Sequence, residues 1–424
     1  MYEKIAEETS QDQLIVGIDW ADKKHDLCIW KNTEQSFKVL PNKHDDIKEF
    51  FTELLEQNKF QNFVVIIERT QNYLIKILES LSYIKLFTVH PSTSASYRET
   101  FTPSRAKNDP QDAACLVDLY RKHYDKLKLH QVDVKSQVLN TYNHRRRETV
   151  DARTKLGQKL TAVLKIFYPQ ALEIIDGSLN APIAVDFLKS YPSPQKLLKE
   201  DKKIVEQYFN ERSSSKSKTI VRMKIIDDLE AVVTDKDLLE MYETEVLDLV
   251  DKIENLTQSI KRYEEKIDRK YHQSEDYEIF HSFPGAGEAL GPRIMAFFGE
   301  DRSLYESVDD VLKASEIAPI KIESGNYKSI RRRYLCDGYT QLTFAEFANH
   351  SRKTSKWASA FYEMQKQKGK GHQTVLRALA FKWIRIIFRC WKSHEKYNEE
   401  EYLQALWRSK SPLLHFMKEN AEAA

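Results

Sequence analysis

Two short apolar runs constrain this chain most: LIVGID at 14–19 and FVVIIE at 63–68, both rich in Ile and Val and both ending on a carboxylate. Runs this short and this β-branched read as buried strands, because a helix needs roughly ten residues or more to bury a stripe. HDLCIW and QSFKVL follow the first run closely and read as two further strands, so the first three are expected to form a meander. DDIKEFFTELLEQ carries apolar residues at the spacing of a helix packed on a sheet. After FVVIIE come a helix from about Tyr73 to Ser82, the short strand KLFTVH, and a helix from about Pro110 onward. The expectation is an α/β unit with a mixed sheet and helices on its faces.

The rest of the chain changes character. Its 424 residues exceed one compact core, and at about 150 residues per domain the expected number of units is roughly three. The boundaries are placed at 1–130, 131–275 and 276–424. The middle region is almost wholly helical, with a polar break at FNERSSSKSK. Val246, Leu249, Ile253, Leu256, Ile260, Tyr263 and Ile267 alternate three-and-four spacing, as in a coiled-coil seam. That seam can join two copies of the chain or pack internally against LNTYNHRRRETVDARTKLGQKLTAVLKIF, and both arrangements stay open. In the third region, residues 351–394 hold eleven Lys and Arg against one acid, Glu363. Trp357, Phe361, Tyr362, Phe381, Trp383, Phe388 and Trp391 are interleaved with them.

Overall charge says little about partners, since 66 Lys and Arg face 64 Asp and Glu for a formal net charge of +2. Cys28, Cys115, Cys336 and Cys390 are far apart and show no CxxC spacing, so neither a metal nor a disulfide is assigned to them. The polar start MYEKIAEETSQDQ lacks the apolar core of a signal peptide. No apolar run approaches the roughly 18 residues that span a bilayer, and a cytoplasmic protein is expected.

Four carboxylates form the most informative set. Asp19 and Glu68 end the two apolar strands, and carboxylates at strand ends can converge at one rim of a sheet. Asp109 and Asp112, in KNDPQDA, are three residues apart at a helix start and project from one face. Crowded together, such acids repel unless cations share the site, and an oxygen-only ligand set favours a hard cation such as Mg²⁺. The competing reading keeps Asp19 and Glu68 as solubilising loop acids and Asp109 as a helix cap.

Three further stretches bear on phosphate chemistry. In FPGAGEALGPRIMAFFG, Gly285 and Gly287 form a turn like that of a helix-hairpin-helix element, whose backbone N–H groups meet a DNA phosphate. The alternative is a plain glycine turn between packed helices. VLRALAFKWIRIIFRCW is apolar over most of a helix, so its aromatics read as core, whereas Lys366, Lys368 and Lys370 in KQKGKGH read as phosphate contacts. In IESGNYKSIRRRY, Ser324 precedes Gly325 and stands a few residues before Arg331, Arg332 and Arg333.

Taken in order, these residues resemble the DEDD transposases of bacterial insertion sequences, the insertion-sequence one-ten family related to the Piv DNA invertase. VGIDWADKKHDLCIW is similar to the first strands of that family's RuvC-like, ribonuclease H-like domain; IIERTQNY resembles its Glu motif and RAKNDPQDAACLVDL its paired-Asp motif. YPQALEIIDGSLNAPIAVDFLKSYPSPQKL resembles the connector of longer members. SFPGAGEALGPRIMAFFGE and SEIAPIKIESGNYKSIRRR resemble the two halves of the C-terminal transposase domain. One departure is RRRYLCDGY, where Cys336 and Asp337 precede Gly338 in place of the family's common Lys-x-Gly step.

The resemblance implies a ribonuclease H-like domain, a long helical connector and a mostly helical C-terminal domain. It implies Mg²⁺ held by Asp19, Glu68, Asp109 and Asp112, and Ser324 as the nucleophile that forms a phosphoserine link to DNA. It further implies donor and target DNA as partners, a structured guide RNA from the element itself, a homo-oligomer (dimer or tetramer) and a nucleoid-associated location. A serine hydroxyl needs a counter-charge at the attacked phosphate, which the three arginines can supply; Ser329 is the weaker candidate. Competing readings are a junction-resolving nuclease using metal-activated water, a Piv-like invertase without RNA, and a nucleic-acid-binding protein whose acids are structural.

Overall fold

The computed structural model describes residues 14–31, 33–58, 63–68, 73–101, 109–127, 129–130, 133–212, 215–325, 327–331 and 338–422. The chain divides into two compact units between residues 132 and 133.

The first unit contains strands β1 (Ile15–Trp20), β2 (Lys24–Lys31) and β3 (Glu34–Pro41), helix α1 (His44–Asn58), β4 (Phe63–Glu68), α2 (Tyr73–Glu79), β5 (Ile84–Val89), α3 (Pro91–Phe101) and α4 (Asp109–His123). Strand order is β3-β2-β1-β4-β5. The first three strands are antiparallel neighbours and β1, β4 and β5 run parallel, which is the expected meander followed by crossovers. This mixed sheet accords with a ribonuclease H-like domain. Because side chains alternate across a strand, each face has its own core. Val16, Ile18, Leu27, Val65 and Ile67 pack with Phe51 and Ile47 of α1 and Leu74 and Leu78 of α2. Ile15, Cys28, Val64 and Ile66 pack with Ala113, Leu116, Val117 and Tyr120 of α4. Helix α3 has no counterpart among the sequence expectations: PSTSASYRETF offers almost no apolar stripe.

The second unit is built on two long helices, α5 (Val134–Phe167) and α11 (Lys236–His272). Between them lie α6 (Gln170–Ile175), α7 (Pro182–Ser190), α8 (Pro194–Leu198), α9 (Lys202–Arg212) and α10 (Lys216–Asp227). After α11 come α12 (Tyr277–His281), α13 (Gly287–Phe298), α14 (Val308–Ala314) and the β6–β7 hairpin (Ile320–Ser324, Tyr327–Arg331). The chain continues as α15 (Gly338–Thr354), α16 (Lys356–Gln367), α17 (His372–Ser393), α18 (Glu399–Arg408) and α19 (Pro412–Glu422).

The heptad seam is used inside the chain. Val246, Leu249, Ile253, Ile260 and Ile267 are buried, and α11 runs antiparallel to α5, as pairs from Arg146–Glu264 (2.7 Å) through Arg153–Thr257 (3.2 Å) to Lys159–Glu245 (2.9 Å) record. Of the two arrangements left open by the sequence, this is the internal one. Each end of the helix pair joins a separate core. Leu160, Val163 and Leu164 meet Val246, Leu249 and Ile253 in one, with α6 to α10; Leu139, Ile267 and Tyr271 meet α12 to α17 in the other.

Candidate active site

The parallel register pairs Ile18 of β1 with Ile67 of β4, and Asp19 and Glu68 are the next residue on each strand. Ile15, Cys28, Val64 and Ile66 face α4, so alternation sends Asp19, Asp26 and Glu68 to that same face. Asp26 lies directly opposite Asp19 in the β1–β2 register. Sequence reasoning did not single it out. The available signal was a charged residue inside the otherwise apolar strand HDLCIW, at a position whose parity matches Asp19 only once the register is known.

Helix α4 sits flush on this face because Gly17 has no side chain. A Cβ there would lie 2.2 Å from the Ala113 carbonyl oxygen and 2.8 Å from Val117 Cγ2. Gly17 is two residues before Asp19 on the same face, and Ala113 directly follows Asp112. The packing of one glycine therefore fixes where the first turn of α4, with Asp109 and Asp112, meets the acid-bearing strand. Asp112 is buried and Asp109 is exposed.

A buried carboxylate needs a compensating cation. Arg98 of α3 provides one, with Nε 3.0 Å from Asp112 Oδ1, and Lys24 Nζ lies 3.3 Å from Asp26 Oδ2. Tyr97, beside Arg98, donates its hydroxyl to Asp118 Oδ2 at 2.7 Å, and burial together with that bond pushes the phenol up to about 12. These contacts fasten α3 to α4. Arg98 was also missed at the sequence level, because its partner is reached through tertiary packing alone. The acids share a face without closing into a ligand set: among the described residues, no three of these carboxylates bring oxygen atoms within 4.8 Å of one another. Like charges on a partly buried, oxygen-only face nevertheless fit a hard divalent cation. The thiols nearby are held toward the protonated form. Burial raises Cys28, and burial with the charge of Asp112 pushes Cys115 up to about 11.

The serine lies in the other unit. Ser324 ends β6 opposite Tyr327, and Gly325 follows with φ +54°. Nothing lies within 4 Å of a Cβ built on Gly325, so backbone conformation is the reason for glycine there, rather than close approach within the chain. Arg331 is exposed on β7, where it donates to the Tyr327 hydroxyl (3.1 Å) and to Ser329 Oγ (3.4 Å). Hydrogen bonds from Ser329 and Arg331 lower the Tyr327 phenol. Arg332, Arg333, Cys336 and Asp337 lie outside the described residues.

At the glycine turn, Gly285 and Gly287 have φ +84° and +51°. A Cβ on Gly285 would lie 2.8 Å from the Ser351 amide nitrogen, so this glycine answers to packing against α15, whereas the space at Gly287 is open. In residues 351–394 the aromatics Trp357, Phe361, Tyr362, Trp383 and Trp391 are buried in the core, as the apolar helix pattern led us to expect. Lys366, Lys368 and Lys370 are exposed beside them.

Residues 16–169 match the family model of the IS110 DEDD transposases, described as transposase. The chain carries a DEDD transposase domain. All four sequence-predicted acids fall within the matched residues, and Ser324 lies beyond them. Over its wider length this chain is 24% identical across 403 residues to a Streptomyces coelicolor mini-circle protein described as a transposase for IS117, covering 92% of this chain and 97% of the relative. It is 24% identical across 332 residues to the 42 kDa protein of insertion element IS900 from Mycobacterium paratuberculosis, covering 77% of this chain and 80% of that protein. A transposase is an enzyme that cuts and rejoins DNA strands.

Proposed function

We propose that this transposase cuts and rejoins DNA through a phosphoserine intermediate on Ser324, with Mg²⁺ held by Asp19, Glu68, Asp109 and Asp112. The observation that carries the metal half is the alignment of Asp19 and Glu68 at the same step of two adjacent parallel strands, on the face that α4 covers. Mg²⁺ bound by these carboxylates polarises a phosphate and offsets the charge that develops on it. The chain's own groups do the rest. Ser324 Oγ forms a bond to phosphorus, the bond to the leaving strand breaks, and that strand departs as a hydroxyl carrying the proton that serine gives up. Arg331, with Arg332 and Arg333, supplies counter-charge. Attack by the hydroxyl of an incoming strand reverses the step, so rejoining needs no nucleotide cofactor.

Donor and target DNA are the substrates in this reading, and a structured RNA from the element's own noncoding end guides their choice. Exposed Lys366, Lys368 and Lys370, with the open Gly287 turn, are its proposed phosphate contacts. Arg145, Arg146 and Arg147 on α5 are left out of this set, because they pair with Glu148, Glu264 and Asp151. Assembly into a homo-oligomer and a place at the nucleoid complete the proposal.

The test is strand cleavage of labelled element-end DNA. Asp19→Asn or Asp112→Asn should cut at least about 10³-fold more slowly, about 4 kcal/mol in the barrier, and chelator should do the same to the wild type. Undiminished cleavage in both variants, or in excess chelator, would remove the metal site. Recombination of native sites by RNA-free protein at the wild-type rate would remove the guide.

A further inference from the structure

Helix α17 carries Lys382, Arg385 and Arg389 at i, i+3 and i+7, so the three cations share one face over two turns, about 10 Å. Other basic residues of this region are engaged. Lys392 donates to the carbonyl oxygens of Arg302 (2.6 Å) and Tyr305 (2.8 Å), and the Arg352 guanidinium lies 4.5 Å from the ring centroid of Tyr362. Among the described residues, the side chains of Lys382, Arg385 and Arg389 make no hydrogen bond or ion pair; Lys382 Nζ only stands over the Phe361 ring, 5.1 Å from its centroid. All three border a cavity of about 250 Å³ between α17 and α18, whose other wall includes Glu395, Glu401, Tyr402 and Ala405.

A solvated basic face does not account for Lys382. Its side chain is half-buried, and burial, then the charge of Arg385, lower its ammonium below the usual lysine range. An ammonium drawn out of water beside a second cation is unfavourable until an anion joins it. The chain's own acids do not: Glu395 accepts from Ser393 Oγ (3.0 Å) and Glu401 from Asn398 Nδ2 (3.3 Å), and neither pairs with the three cations. The cavity therefore keeps cations on one wall and acceptors on the other. A matching ligand carries anionic charge at one end and N–H donors at the other, and a nucleotide does both, through its phosphates and its base edge. Ile386 and Tyr402 give a base apolar surface. A base stacked and paired in a duplex cannot enter. We propose that this cavity binds one unstacked nucleotide of a single strand, with its flanking phosphates on Lys382, Arg385 and Arg389 and its base against Ile386 and Tyr402. The site extends the nucleic-acid reading of this chain, but needs neither Ser324, nor the carboxylates, nor Lys366, Lys368 and Lys370.

The experiment is fluorescence anisotropy of short labelled single strands, made as RNA and as DNA, with the full chain in chelator so that nothing is cut. Arg385→Gln combined with Arg389→Gln should weaken binding about 10- to 100-fold and flatten the dependence of log K on log salt by about 1.4, two phosphates at about 0.7 each. Ala405→Leu fills the cavity without changing charge, and should weaken the same strand about 10-fold at an unchanged salt slope. Thermal midpoints within error of the wild type report that the variants fold. Loss confined to RNA assigns the cavity to a guide strand and loss confined to DNA to an unpaired substrate strand, and either supports the site. Undiminished binding in both variants would overturn it, as would a loss in the arginine pair that Ala405→Leu does not share, which leaves only a basic surface. If neutralising Lys366, Lys368 and Lys370 weakens binding while both cavity variants bind as the wild type does, the cavity falls and the contacts proposed for those lysines stand.

Discussion

The acid-bearing sheet edge and the serine hairpin are positioned in opposite ways. Asp19 and Glu68 extend strands whose apolar residues are fully buried, and Asp112 is held by a helix seated on Gly17. Ser324 ends one strand of a two-stranded ribbon with exposed neighbours at Tyr327, Lys328 and Ile330. A lone hairpin is marginal by itself, whereas a core-backed sheet is not. The carboxylates are therefore pre-set by folding, and Ser324, the proposed nucleophile, sits on a two-stranded ribbon with exposed neighbours.

Three substitutions sharpen that contrast. The largest effect on stability belongs to Gly17→Ala: its Cβ would press on the backbone at 2.2 Å, which should cost about 3 kcal/mol and displace α4. Urea unfolding read from a first-unit probe would show it, and a loss below 1 kcal/mol would mean that α4 is not seated by that glycine. Next is Arg98→Ala, which removes a cationic partner of Asp112 and should cost about 2 kcal/mol in chelator. Mg²⁺ should restore part of this if the ion takes over the charge; a thermal midpoint insensitive to Mg²⁺ would speak against Asp112 as a ligand. The smallest is Gly325→Ala. Its φ of +54° makes alanine strained, by about 1 kcal/mol, but the strain falls on an exposed hairpin. Cleavage should fall while the global unfolding midpoint stays within error, and a large midpoint shift would show the hairpin to be part of the cooperative core.

The same contrast explains what could be read from the sequence. LIVGID and FVVIIE announce their strands because a buried strand must be apolar, and an acid at the end of each stands out against that run. The meander and the mixed character of the sheet followed from the close strand spacing and the alternating elements, whereas the order in which β4 and β5 join was set by tertiary pairing. Asp26 and Arg98 stayed hidden because register and helix docking, rather than local pattern, bring them to Asp19 and Asp112. The α11 seam left self-association and internal packing open, since a heptad face looks the same to either partner. The pairs of Arg146 with Glu264 and of Arg147 with Glu346 were equally illegible, because they reach across to α11 and α15.

The central claim is that Ser324 becomes bonded to DNA. Labelled element-end DNA incubated with wild-type protein and Mg²⁺, then separated on a denaturing gel, should leave a protein-linked band that Ser324→Ala abolishes and Ser329→Ala retains. A covalent band that persists in Ser324→Ala, or cleavage by the wild type with no protein-linked product at any time point, would contradict the account and favour attack by water.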